Sequence, residues 1–130
     1  MVVSKPVQGL NIKGFDNKFE SILNTYEWGK LQADFNYCNR VLIVGNGGNL
    51  AVADHAAIDI ARLTNKSATA PGSGILASSL INDISHEDWV QKWVDISIRG
   101  LLKESLQKTL IIGISSAGNS KNICLALDYA

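Results

Sequence analysis

Two strand-to-loop junctions constrain this chain more than any other feature. Residues 41–49 read Val-Leu-Ile-Val-Gly-Asn-Gly-Gly-Asn, and residues 110–120 read Leu-Ile-Ile-Gly-Ile-Ser-Ser-Ala-Gly-Asn-Ser. Each is a short apolar, β-branched run that stops at small residues and then resumes with helical periodicity. A strand that feeds a helix through small residues leaves backbone N–H groups unpaired at the helix N-terminus, where the macrodipole favours an anion. The first loop is rich in glycine, and the second carries three hydroxyls around Gly118 and Asn119. Serine hydroxyls are rotatable donors suited to phosphate oxygens. Two such loops in one domain point to one ligand held at both ends, with a phosphate at one of them.

The elements between the junctions set the fold class. Residues 1–14 read as an irregular N-terminal arm punctuated by Pro6, Gly9 and Gly14. From Phe15 the apolar positions Phe19, Ile22, Leu23 and Tyr26 recur at helical intervals. Leu31, Phe35 and Cys38 extend them, predicting one long amphipathic helix over 15–38. Residues 40–44 form the first buried strand. Leu50, Ala53, Ala57, Ile60 and Ala61 mark a helix able to lie close on a sheet, 66–70 is a weaker strand, and 75–81 a short helix. Ser85 and Asp88 have capping-box spacing ahead of a helix carrying Trp89, Trp93, Ile96 and Leu101 on one stripe. Residues 110–114 are a strong strand and 120–130 a helix. Strands alternating with helices predict right-handed crossovers and a parallel sheet covered on both faces, an α/β three-layer αβα sandwich. Ligands of such sheets bind at the carboxyl ends of the strands, where both loops lie. Three strands are few for this architecture, so the chain reads as the front part of a larger domain.

Composition narrows the function classes. Twelve basic residues balance twelve acidic ones, which gives no support to a broad nucleic-acid or membrane footprint. No segment approaches the ~20 apolar residues of a membrane span, and the N-terminus has no signal-peptide run. Cys38 and Cys124 lack metal-type spacing and read as reduced core or near-core thiols of a cytoplasmic protein.

The motifs have bland readings too. Gly45-Asn46-Gly47-Gly48-Asn49 is no dinucleotide fingerprint, since Leu50 stands where a third glycine would fall, and it lacks the Gly-Lys-Ser/Thr of a P-loop. It reads equally as a tight turn and as a ligand loop. Ser115, Ser116 and Ser120 exceed the one hydroxyl that a cap needs, which favours phosphate. His55 and Asp59, at i and i+4, share a helix face that suits a metal or acid–base pair; by themselves they read as a surface ion pair. Asn82-Asp83 reads as a turn, His86 as a solvated residue, and Trp89 with Trp93 as core or subunit interface.

Taken together, these motifs resemble the sugar isomerase (SIS) domain, and within it the phosphoheptose isomerases. That family carries Gly-Asn-Gly-Gly-Ser, then His-x-x-x-Glu on a helix, then Asn-Asp, then Ser-Thr-Ser-Gly-Asn-Ser. The order and approximate spacing agree from residue 15 onward, so that 15–130 matches the first two-thirds of a flavodoxin-like SIS domain. The resemblance implies an aldose–ketose isomerase acting on heptose 7-phosphates through an enediol-like intermediate. Ser115, Ser116 and Ser120 would hold the phosphate, with Asn119 in the same loop. Asn46 and Asp83 would contact sugar hydroxyls, beside Gly47, Gly48 and Asn49. His55 and Asp59 would match two zinc ligands, and Asp59 the base. Residues 15–38 offer more apolar face than a small sheet can cover, which points to helix-on-helix contacts in a homo-oligomer; the resemblance points the same way, to a dimer or tetramer. The alternative it leaves is a binding or assembly module, like the SIS relative that associates with the replication initiator. This sequence departs from the family pattern at Asn49, Ala117 and Asp59. A carboxylate one methylene shorter moves a base by about 1 Å, a displacement able to cost on the order of 10²-fold in rate. The family's later glutamine and histidine have no counterpart in these 130 residues.

Overall fold

A computed structural model describes residues 14–72 and 74–130; the expected arm falls outside the described residues apart from Gly14. The chain divides into two units, Met1–Ala33 and Asp34–Ala130. The first holds α1 (Phe15–Leu23) and most of α2 (Tyr26–Tyr37). The single long helix expected here is two helices. Asn24 closes α1, its backbone and side-chain N–H groups both donating to the Glu20 carbonyl at 3.3 and 3.0 Å. The Thr25 hydroxyl then accepts from the Trp28 N–H at 3.2 Å, capping α2. A local polar stop overrides a continuous apolar stripe because Asn and Thr offer the backbone an alternative partner. On α1 the stripe of Phe15, Phe19, Ile22 and Leu23 is exposed.

The second unit is the αβα sandwich. Its elements are β1 (Arg40–Gly45), α3 (Gly48–Leu63), β2 (Ser67–Thr69), α4 (Gly74–Asp83), α5 (Trp89–Ile98), α6 (Lys103–Gln107), β3 (Thr109–Ile114) and α7 (Lys121–Tyr129). The sheet is parallel, in the order β2-β1-β3. This order fits a flavodoxin-like winding, in which the chain reverses direction between β1 and β3. Strand β1 lies in the centre, with Val41 to Gly45 all buried, because a strand covered on both faces must be apolar along its whole length. Leu42 and Val44 point to one face, against Trp89, Val90, Trp93, Val94, Ile123 and Ala126. Val41 and Ile43 point to the other, against Ala53 and Ala57 of α3, with Cys38.

Several sequence expectations shift in detail. Trp89 and Trp93 are core, with Val90 and Val94 completing the buried face, while Ile96 is exposed. Of the two readings of Trp89 and Trp93, core or interface, the core reading holds. Cys38 is buried, but Cys124 is exposed, because Ile123 and Ala126 take the sheet-facing positions of α7. Ser85 and Asp88 do pair as a capping box, the Asp88 N–H donating to the Ser85 hydroxyl at 3.0 Å. Regular helix nevertheless starts only at Trp89. No described helix is long and apolar enough to cross a membrane.

Polar contacts also tie α7 to α5. Arg99 at 2.6 Å, Lys92 at 3.1 Å and the Tyr129 hydroxyl at 3.2 Å all donate to the Asp95 carboxylate. Arg99 foremost, then Lys92, hold that carboxyl below its ordinary 3.8. A carboxylate with a depressed folded-state pKa stabilises the fold above its unfolded value and loses that contribution as pH falls through the folded one. Chemical denaturation of wild type and Asp95→Asn should thus differ at neutral pH and converge as pH drops below 3.8. A difference that persists unchanged in acid would show that the carboxylate's charge plays no part.

Candidate functional site

The first loop is shaped by three glycines with different duties. A Cβ on Gly45 would lie 2.7 Å from the carbonyl carbon and oxygen of Asn49, so the chain folds back tightly as β1 ends. Gly47 takes φ +54° and ψ −123°, a conformation that L side chains rarely adopt. It caps α3 through its carbonyl, which accepts from the Leu50 and Ala51 N–H groups at 3.0 and 3.3 Å. Gly48 then opens the helix with open space around its Cα.

The second loop begins level with the first, since Gly45 and Ile114 are register partners at the carboxyl ends of β1 and β3. Gly118, at φ +69°, turns the chain, and its N–H donates to the Ser115 carbonyl at 3.2 Å. Ser120 is the N-cap of α7, yet its hydroxyl makes no cap hydrogen bond to the helix. It lies 2.9 Å from the Ser115 hydroxyl instead. Capping is the bland role for such a serine, and here the side chain is turned away from it. Asn119 and Ser116 are exposed in the same loop.

Side chains stitch the loops together across the point where the winding reverses. Asn46 and Asn122 exchange a reciprocal pair of amide hydrogen bonds, both 2.9 Å. The Asn49 amide donates to the Ser116 hydroxyl at 3.1 Å. Asn46, Asn49, Ser115, Ser116 and Ser120 are thus brought to one place.

Two residues of this region escaped sequence reasoning. Asn122 is buried just inside α7. Lys121 opens that helix and pairs with Glu87 at 2.7 Å, a contact that raises its pKa above 10.5. A cation in the first turn opposes the helix dipole. That mismatch was the available signal for Lys121, and the Glu87 carboxylate answers it.

The remaining expected residues make their side-chain contacts within their own helices. His55 Nε2 and Asp59 Oδ2 are 3.3 Å apart on α3, and the other Asp59 oxygen accepts from Arg62 at 3.1 Å. The His55 side chain is 82% exposed. At about 1.5 Å of rise per residue, Asp59 stands about 16 Å along the axis from the first turn of α3. Asp83 ends α4, its carboxylate accepting from Asn82 Nδ2 at 2.9 Å and the Ser79 hydroxyl at 3.4 Å.

No family model matches the chain, and no solved structure matches it. A phosphoheptose isomerase of Clostridium acetobutylicum is 30% identical over 128 residues, covering 94% of this chain and 57% of that protein. A phosphoheptose isomerase of Aliarcobacter butzleri is 31% identical over 94 residues, covering 71% of this chain and 48% of that protein. The chain is a relative of the phosphoheptose isomerases. It spans about half the length of each of these two proteins.

For this phosphoheptose isomerase relative, the donor set bears on the zinc that the sequence resemblance implies. Zinc takes three or four protein ligands. His55 and Asp59 supply two, and no group of three His, Cys, Asp or Glu side chains among the described residues could hold a metal. The described residues therefore do not make a complete zinc site.

Proposed function

We propose that this chain forms the phosphate-binding part of a phosphosugar isomerase of the phosphoheptose isomerase type, acting on a heptose 7-phosphate by aldose–ketose isomerisation. The observation that carries the reading is the Ser120 hydroxyl, turned from its own helix toward Ser115 at the start of α7, in a chain 30% identical to a phosphoheptose isomerase. Ser115, Ser116 and Ser120 hold the phosphate with the N-terminus of α7, where hydroxyl donors and the helix dipole favour the same charge. The sugar extends toward the glycine loop, with Asn46 and Asp83 at its hydroxyls and Gly47, Gly48, Asn49 and Asn119 around it.

Isomerisation through an enediol needs a base beside the carbon that loses its proton. In this reading Asp59 is that base, with His55 beside it. His55 and Asp59 would be two of the ligands of a zinc ion, which when bound would supply a Lewis acid for the carbonyl oxygen. The active form is a homo-oligomer, a dimer or tetramer assembled through residues 15–38, where Phe15, Phe19 and Ile22 leave an apolar face exposed. The setting is cytoplasmic, in keeping with two free thiols.

Calorimetric titration of sedoheptulose 7-phosphate into wild type and Ser120→Ala tests the site. Removing a hydrogen bond to a charged group costs about 1.5–3 kcal/mol, so the variant should bind roughly 10- to 150-fold more weakly. An unchanged dissociation constant would remove this loop from the site.

A further inference from the structure

Asn122 is the one polar side chain among the buried residues described, 3% exposed beside the apolar contacts of α5 and α7. A buried amide is costly unless its hydrogen bonds are made. Here they are: Asn122 Nδ2 donates to Asn46 Oδ1, and Asn122 Oδ1 accepts from Asn46 Nδ2 and from the Ile123 N–H, at 2.9, 2.9 and 3.0 Å. An apolar pair would fasten two loops at lower desolvation cost. A reciprocal amide pair does something different, because it fixes the rotation of both side chains as well as their separation. It also occupies the head group of Asn46, which the sequence reading assigned to the sugar.

We propose that Asn122 is a positioning residue. It clamps Asn46 and so sets the spacing between the glycine loop and the serine loop, the gap that a phosphosugar bridges. The identity of the bridging ligand rests on the function proposed above, whereas the clamp itself does not. The anion-binding loop then keeps its own geometry without Asn122, and what is lost is its alignment with the loop that meets the sugar.

The test uses Asn122→Leu, which fills similar volume without the amide, with two readouts. Amide hydrogen exchange should quicken at Asn49, Leu50 and Ala51, in the loop that does not carry the substitution, while the amides of β1 stay as protected as in wild type. Titrations should split by ligand. Sedoheptulose 7-phosphate, which spans both loops, should weaken on the order of tenfold, as expected for two net hydrogen bonds. Sulfate, which meets the serine loop alone, should bind as before. Equal losses for both ligands, or exchange unchanged across the glycine loop, would overturn the proposal. If wild type binds neither anion, the phosphosugar reading falls and hydrogen exchange alone decides the clamp. Should Asn122→Leu fail to fold, Asn46→Ala breaks the same pair from the half-buried side, with exchange then read across residues 115–120.

Discussion

Replacing Gly45 by alanine should cost about 3 kcal/mol of stability, the upper part of the range for overpacking a tight site. Its Cβ would meet the Asn49 carbonyl carbon and oxygen at 2.7 Å and the Leu50 nitrogen at 3.0 Å. All three are backbone atoms of the first turn of α3, so no side-chain rotation relieves the clash. Nor can α3 back away freely, since Ala53 and Ala57 are packed against the sheet at 0% and 4% exposure. Gly113 offers a control on the neighbouring strand. A Cβ there would meet side-chain rather than backbone atoms, Ile123 Cγ2 at 2.6 Å and Leu127 Cδ1 at 3.0 Å. The exposed Leu127 can turn aside, whereas the buried, β-branched Ile123 has to move with α7. Gly113→Ala should therefore also cost stability, but less than a clash within the backbone. Urea midpoints of the two variants give the comparison. A Gly45→Ala midpoint at or above that of Gly113→Ala would show that the turn opens without penalty.

Trp93→Ala should be comparably severe, at about 3–5 kcal/mol. Trp93 is 6% exposed and lies in the cluster that joins α5 and α7 to Leu42 and Val44. Truncation leaves a void lined by residues on three elements, none of which can collapse into it without dragging its helix or strand. A folded domain is stable by only about 5–15 kcal/mol, so a loss of that size leaves a large unfolded fraction under mild denaturant. Denaturant unfolding followed by circular dichroism measures it. A shift equivalent to less than about 1 kcal/mol would mean that Trp93 is a surface residue after all.

The sequence was most readable where one physical signal acted alone. Strands β1 and β3 announce themselves because a centrally placed parallel strand has to be apolar on both faces, and α3 because its small residues recur at the helical period. Reading failed where two signals competed. The apolar pattern from Phe15 continues, less cleanly, through Leu31, Phe35 and Cys38, but the polar stop at Asn24 and Thr25 divides it. The sequence pattern carries the α5 stripe through Ile96, whereas the buried face runs through Val90 and Val94, because Trp89 and Trp93 fix the rotation of that helix. The short, largely exposed α6 carries no periodicity to detect. Within the candidate site, the loop residues stand out because glycine and serine are needed there for backbone and hydroxyl reasons. The Asn46–Asn122 pair could not be read from spacing, since it depends on β3 lying directly beside β1. The i, i+4 relation of His55 and Asp59 was visible, but not the Arg62 guanidinium that engages the same carboxylate.

That parallel pairing has a consequence for when the site can exist at all. Asn49 and Ser116 stand 67 residues apart in the chain, and Asn46 and Asn122 stand 76 apart. Closing a chain segment of that length has a price in entropy that grows only slowly with length, but it must be met before any of these contacts can form. Parallel strands joined through a long crossover are slow to pair for the same reason. During synthesis the glycine loop and α3 emerge well before their counterpart, and helical structure there can form locally while the loop has nothing opposite it. The two-loop arrangement is therefore acquired late in folding. Substitutions in α4, α5 or α6, which lie between the two loops in the chain, can delay it by slowing the passage of the chain from β2 to β3.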